Sequence, residues 1–491
     1  MNYSAEDYLN QLDVDKENLV TALNSLQITA ATSETFTELV PKVDLYRQRF
    51  VKDTMTGDIY NCQGWVAKNT MFNATSGYPD IYVADDVTSL SKVLRDWNHG
   101  KPPKVYCNNQ VTDAQYAYYC ALPLASAELF ANEEIVDLSG LHTENITDWS
   151  NCFACLNQRI LTGDYDQRPI LNLEPLSFEH AQNFTNTFDR CSLHIKLETA
   201  HPSPNLTNMA RTFQYLLGGV TEHTFDFLQY LDLTHVTSFY YTFYNCNPRD
   251  YTHPFILTYL RTDSATNMTG TFSYINCGDR FSVPNLDTSN VIDAGSMFAE
   301  SWLHYQTTID LPTTLDFSNC TSCYHMFYGQ FSQPSGFTYD IVSFGYVIGP
   351  RMRNVQNVTN MQEMFCYQTP SRSIADQEWD LSNLITGAVT NAQGMFRYNN
   401  KLKKLNLSGF TINNTCNCSQ MFQNCSKLTL LDVRRLEFSK VTNHTDMFTS
   451  VPNDCVIVVK DTTEKGTLES WFPNLTGIIT ATDYDASQGG V

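Results

Sequence analysis

Charge is scarce in this chain of 491 residues. Charged residues make up 17%, and cations are the scarcer sign, with 31 Lys and Arg against 52 Asp and Glu and a formal net charge of −21. Such an acidic chain opposes nucleic-acid phosphates and anionic bilayers, so no nucleic-acid partner is expected. No run approaches the ~20 consecutive apolar residues of a membrane span, so no membrane insertion is expected. The start, Met1 through Asp7, has neither a basic nor an apolar leader region, and no secretory signal is expected there.

Chemical signatures are missing too. There is no Gly-x-Ser-x-Gly, no phosphate-cradling glycine loop and no glycine-rich dinucleotide fingerprint. Cys152/Cys155 and Cys320/Cys323 have zinc-ligand spacing. A structural zinc needs a second pair, and these two fall at different places in the repeat described next. The acidic pairs Asp164/Asp166 and Asp483/Asp485 sit in a loop and a tail. Glycoside hydrolysis would need two carboxylates about 5–9.5 Å apart across a sugar. No catalytic residue, metal or cofactor is therefore expected. The fifteen cysteines read as buried thiols acting as small hydrophobes, not as a disulfide framework.

What the chain does have is a repeat. Eleven copies of one motif end at Phe153, Phe188, Phe213, Phe243, Phe272, Phe298, Phe327, Phe365, Phe396, Phe422 and Phe448, at spacings of 25 to 38 residues. Periods of that size mark stacked arrays. Five residues before each aromatic stands a short polar side chain: Asp148, Asn183, Asn208, Ser238, Asn267, Asp293, Ser322, Asn360, Asn391, Asn417 and Asn443. These can bond the amides of a tight bend, and stacking would set them in a structural ladder. Thr precedes eight of them, and Met precedes the last six aromatics. Upstream pieces such as Leu405-Asn406-Leu407-Ser408 alternate as strands with one buried face should. Met-Phe would plug the interior, and each coil would rely on its neighbours for a core.

These columns resemble the BspA-like leucine-rich repeats, whose units read Leu-x-x-Leu-Asp-Leu-Ser and then Asn-Val-Thr-Asn-Met-x-x-Met-Phe-x-x-Cys. The nearest stretch runs from Leu405 through Val451, and the likeness covers about residues 135 to 480. It implies a right-handed leucine-rich-repeat solenoid with a surface, adhesive or binding role. The expected fold class is thus an α+β repeat, a BspA-like solenoid with a small helical N-terminal element and end caps.

Residues 1–45 have helical spacing, with Leu19, Leu23 and Leu26 before Phe36, Leu39 and Val40, and are too short to be stable alone. They resemble short helical segments of phage tail and fibre proteins, which implies attachment to other virion proteins. Residues 46–134 read as an N-terminal cap, with a helix from Thr88 through Trp97 and an aromatic-rich helix from Asp113 through Phe130. The solenoid spans 135–450, and an insertion from Ser332 through Arg353 is expected in a surface loop. Residues 451–491 form a C-terminal cap: a strand near Val456, a helix from Asp461 to about Trp471 and a loose tail from Asp483.

The two positions before each Met-Phe or Thr-Phe are mostly polar and face outward in this reading. Tyr240-Tyr241 and Tyr324-His325 depart from that pattern and are candidate contact residues. The function expected is non-enzymatic: a bacteriophage tail, baseplate or fibre protein contacting a host cell-surface protein or glycan, with homo-oligomers allowed. The alternatives are a BspA-like adhesin on a bacterial cell surface and a polysaccharide depolymerase on a β-solenoid.

Overall fold

A computed structural model describes residues 133–488 apart from 157–168, 192, 217–223, 247–253, 279, 305–306, 330–340 and 369–375, with most of 102–119 and scattered earlier positions. The chain winds into a parallel β-solenoid. The short polar column pairs coil to coil, in parallel and without a break from Asp148 to Asn443.

Side-chain chemistry explains that column. The Oδ1 of Asn183 accepts the Thr185 N–H at 3.0 Å, that of Asn208 the Ala210 N–H at 2.9 Å, and that of Asn360 the Gln362 N–H at 3.1 Å. Asn267, Asn391, Asn417 and Asn443 do the same. One residue later the backbone turns left-handed, at Tyr241, Ser296, His325, Glu363 and Gln420 among others. Non-glycine residues resist that conformation. Here the next coil holds them: the Tyr241 N–H donates to Thr269 O at 2.8 Å and the Ser296 N–H to Tyr324 O at 2.7 Å. The Asp of Asp-Leu-Ser closes a second turn by the same bond, as in Asp232 to Thr234 and Asp380 to Ser382, each at 3.0 Å. The threonines form a hydroxyl ladder, with Thr359 Oγ1 donating to Thr321 O at 3.0 Å and Thr390 Oγ1 to Thr359 O at 3.3 Å.

Inside, the aromatics stack along the axis. Phe188 lies 5.6 Å from Phe213 at 3°, and Phe365 5.3 Å from Phe396 at 4°. The stack runs unbroken from Phe153 to Phe448. Beside it two columns trade volume. Where Thr precedes the aromatic, the residue after the ladder is large: Phe184 with Thr187, Met209 with Thr212, Phe239 with Thr242, Met268 with Thr271. Where Met precedes it, that residue is usually small: Ala294 with Met297, Cys323 with Met326, Ala392 with Met395, Cys418 with Met421. Each buried Thr hydroxyl donates to a carbonyl one coil back, as Thr271 does to Phe239 O at 2.8 Å.

The residue three after the aromatic carries another polar handle. Cys191 Sγ reaches Phe153 O at 2.9 Å, Ser301 Oγ reaches Phe272 O at 2.7 Å, Asn399 Nδ2 reaches Phe365 O at 2.8 Å and Cys425 Sγ reaches Phe396 O at 3.2 Å. All are buried. Thiol, hydroxyl and amide thus satisfy one carbonyl of the coil before. A cysteine in this column is a donor as well as a filler.

The Leu-x-Leu pieces form a second parallel face. Its longest sheet runs Gln377–Asp380, Leu402–Asn406, Leu430–Asp432, Val456–Val459, Ile478–Thr480. Helix Thr462–Trp471 then closes the end. Asp461 caps it by accepting the Thr463 and Glu464 N–H groups, and Phe472 from its C-terminal end packs 5.1 Å from Phe448.

Several expectations need correction. The expected solenoid is present, but helix is sparse among the described residues, so the class is a parallel β-solenoid and not an α+β repeat. The ladder begins before residue 135, passing from Asp148 to Asp113 and from Asp113 to Ser89. Accordingly 115–119 is a coil turn, not part of a helix, and Tyr118 stacks 5.5 Å from Phe153. Ser89 forms a parallel bridge to Asp113, and Thr88 and Leu90 beside it are not helical. The insertion is not all surface loop, because helix Phe344–Ile348 sends Phe344 into the core, 4.9 Å from Phe281. The tail is helical over Ala481–Ser487, capped by Thr480. Of the two N-terminal helices expected within 1–45, Lys16, Glu17, Val20 and Thr21 are described and helical, and the second helix lies outside the described residues.

Candidate binding surface

Among the described residues no three of His, Cys, Asp and Glu come together to hold a metal ion, and no helix is long and apolar enough to cross a membrane. Cys152 and Cys155 are buried, and Cys320 and Cys323 are buried with sulfurs 3.7 Å apart. Asp483 accepts the Thr480 hydroxyl at 2.7 Å, while Asp485 pairs with Arg434 at 3.0 Å. Asp164 and Asp166 lie outside the described residues. The ladder asparagines are engaged in their turns, and several also donate across coils, as Asn183 Nδ2 does to Asp148 Oδ1 at 3.1 Å and Asn391 Nδ2 to Gln362 Oε1 at 2.9 Å. Their work is structural.

The outer surface carries something the core does not require. Tyr240 and Tyr241 meet edge to face at 4.6 Å, and Tyr241 touches Tyr244 at 5.2 Å. Tyr324 stacks on His325 at 3.7 Å, and His325 on Tyr328 at 4.5 Å. Each sequence candidate therefore leads sideways into a second column, one or two residues after the core aromatic. That column holds Tyr215, Tyr244, Tyr274, Tyr328, Tyr367 and Tyr398, all but Tyr274 half-buried. Tyr215 to Tyr244 is 5.2 Å, Tyr244 to Tyr274 5.1 Å, Tyr328 to Tyr367 5.9 Å and Tyr367 to Tyr398 4.4 Å. The sequence reading missed these six. Their signal is a tyrosine one residue after the core Phe at Tyr244 and Tyr328 and two after it in the other four, a place too variable to stand out in one copy.

Cations finish the strip. Arg190 lies 4.8 Å over Tyr215, Arg211 5.3 Å over Tyr240 and Arg397 4.6 Å over Tyr398. Carboxyl groups meet two of the three: Asp189 lies 2.7 Å from Arg190, and Glu363 lies 3.9 Å from Arg397 and 2.6 Å from His325. Partial burial pushes the phenols of Tyr241, Tyr244, Tyr274, Tyr324 and Tyr328 up, and that of Tyr367 up to about 12. They remain neutral hydrogen-bond donors across the physiological range. Gly270 shows how tightly the rings lie: at φ +62°, its absent side chain leaves space that the Tyr241 ring fills. The strip thus combines ring surface, hydroxyl donors and little net charge, a composition suited to contact.

Comparison with known proteins gives one match. Residues 207–338 and 347–455 fit the family described as "Mycoplasma protein of unknown function, DUF285". No match emerged among curated proteins or among solved structures. The matched stretch contains the ladder from Asn208 to Asn443 and most of the tyrosine strip. Residues 207–338 and 347–455 are accordingly similar to the DUF285 repeats, and they lie within the parallel β-solenoid.

Proposed function

We propose that this chain is a non-catalytic binding protein that presents a BspA-like leucine-rich-repeat solenoid at an outer surface. Contact is made through the tyrosine strip. The observation that carries the reading is a pair of ring-contact runs outside the core, Arg190 to Tyr274 and Tyr328 to Tyr398, separated by the coil of Glu300. Amphipathic aromatics backed by arginine are the side chains that dominate binding surfaces. The partner is a molecule of a host cell surface. Placement in a phage particle draws its support from residues 1–45, and the proposal does not depend on it.

The test compares adhesion of the whole chain to host cells with that of the variant Tyr244→Ser/Tyr274→Ser/Tyr328→Ser/Tyr367→Ser. A tenfold or greater loss of adhesion with an unchanged far-UV spectrum supports the strip. Undiminished adhesion rejects it. Polysaccharide cleavage by the purified chain, abolished by a carboxylate substitution, would replace the binding reading with the depolymerase one.

A further inference from the structure

We infer that the strip takes a linear, uncharged glycan laid along the solenoid axis, about one sugar ring to each coil. This rests on the strip being the contact surface. Its shape comes first. Arg190, Tyr215, Tyr244, Tyr274, Glu300, Tyr328, Tyr367 and Tyr398 come one from each of eight successive coils. With a rise of about 4.8 Å per coil, the strip is roughly 34 Å long. It is long and narrow, which suits a chain-like ligand and not a compact one. The coil rise is close to the length of one pyranose unit, so each successive sugar would face one residue of the strip.

Chemistry narrows the class. A pyranose has a face of C–H groups and a rim of hydroxyls. Half-buried tyrosines offer the complement of both, a ring surface and a phenol that stays protonated. A folded protein partner would instead favour a dry apolar centre with anchors set in pockets. Among the described residues, the large apolar side chains exposed on the strip are Tyr274 and Tyr324, while the exposed aliphatics Ile292 and Ile385 lie in other columns. Charge then removes the acidic polysaccharides. Of the three arginines of the strip, Arg190 and Arg397 are met by the carboxyl groups of Asp189 and Glu363, leaving Arg211 over Tyr240, and the chain as a whole carries −21, so a polyanion would find little positive charge and a repulsive field.

The experiment uses the full chain against arrayed linear oligosaccharides of two to ten sugars, one neutral set and one uronate or sulfate set. We expect binding to the neutral set to strengthen at least tenfold between two and eight sugars and then level off. Tyr244→Ala and Tyr367→Ala should each weaken it several-fold, with an unchanged thermal midpoint separating lost contact from lost fold. Equal or tighter binding of the acidic set overturns the inference, as does affinity independent of length. If no neutral chain binds while host-cell adhesion still falls in the tyrosine variants, the ligand class is wrong and the strip stands. If adhesion ignores the tyrosines, both readings fail.

Discussion

At the scale of single residues, the sequence exposed those side chains whose job admits few substitutes. Asn, Asp and Ser hold the ladder because only a short acceptor reaches the N–H two residues on, so that column was legible from eleven copies. The tyrosines were not, since their column also accepts Arg190, Glu300 and Asn424. Phe396 is fully buried between Phe365 at 5.3 Å and Phe422 at 5.9 Å. Phe396→Ala should cost about 3–5 kcal/mol, whereas half-buried Gln393→Ala should cost about 0.5 kcal/mol, read from denaturant midpoints. Asp189 gives a pH signature. Burial outweighs its Arg190 partner and pushes its carboxyl up to about 7 from an ordinary value of 3.8. Between those values the folded chain holds a proton that the unfolded chain has lost, so this group makes stability fall as pH rises. Asp189→Asn should flatten that part of the stability curve relative to the parent between pH 4 and 7. Parallel curves would remove Asp189 as the cause.

At the scale of one coil, periodicity revealed units with Phe and hid those without it. The coil from Asp113 to Tyr118 reads Asp-Ala-Gln-Tyr-Ala-Tyr, whose alanines and tyrosines look helical in isolation. Its neighbour supplies the deciding bonds, with the Ala114 N–H donating to Asp148 O at 2.9 Å and the Tyr118 N–H to Cys152 O at 2.8 Å. The change from Thr to Met before the aromatic is volume exchange with the residue after the ladder. Thr271→Met should overpack against Met268 and leave Phe239 O with only the Thr242 N–H of its two bonds, costing about 1–3 kcal/mol. Adding Met268→Ala should recover much of that loss. A double-mutant cycle measures the coupling, and additive effects would show that the two columns do not share one space.

At the scale of the whole molecule, the thirteen ladder positions from Ser89 to Asn443 make an array about 60 Å long in which every coil leans on two others. The C-terminal closure should therefore matter more than its size suggests. Removing 454–491 strips Val456–Val459 and Ile478–Thr480 from the sheet and uncovers Phe448 and Phe438, the latter covered by Trp471 at 6.0 Å. We expect the shortened chain to self-associate at the bared edge, seen by light scattering as mass rising with concentration. A monomer of unchanged stability would contradict that. The donor three residues past the aromatic, present at Cys191, Ser301, Asn399 and Cys425 and replaced by Leu156, Leu216 or Ile275 in other coils, has a wider consequence. Each such donor serves the coil before its own, so a coil that carries one arrives with a bond for its predecessor and a carbonyl open to its successor. A unit copied in whole finds both at any interior join. The gene can thus lengthen or shorten by complete repeats, and the reach of the tyrosine strip can be inherited as a number.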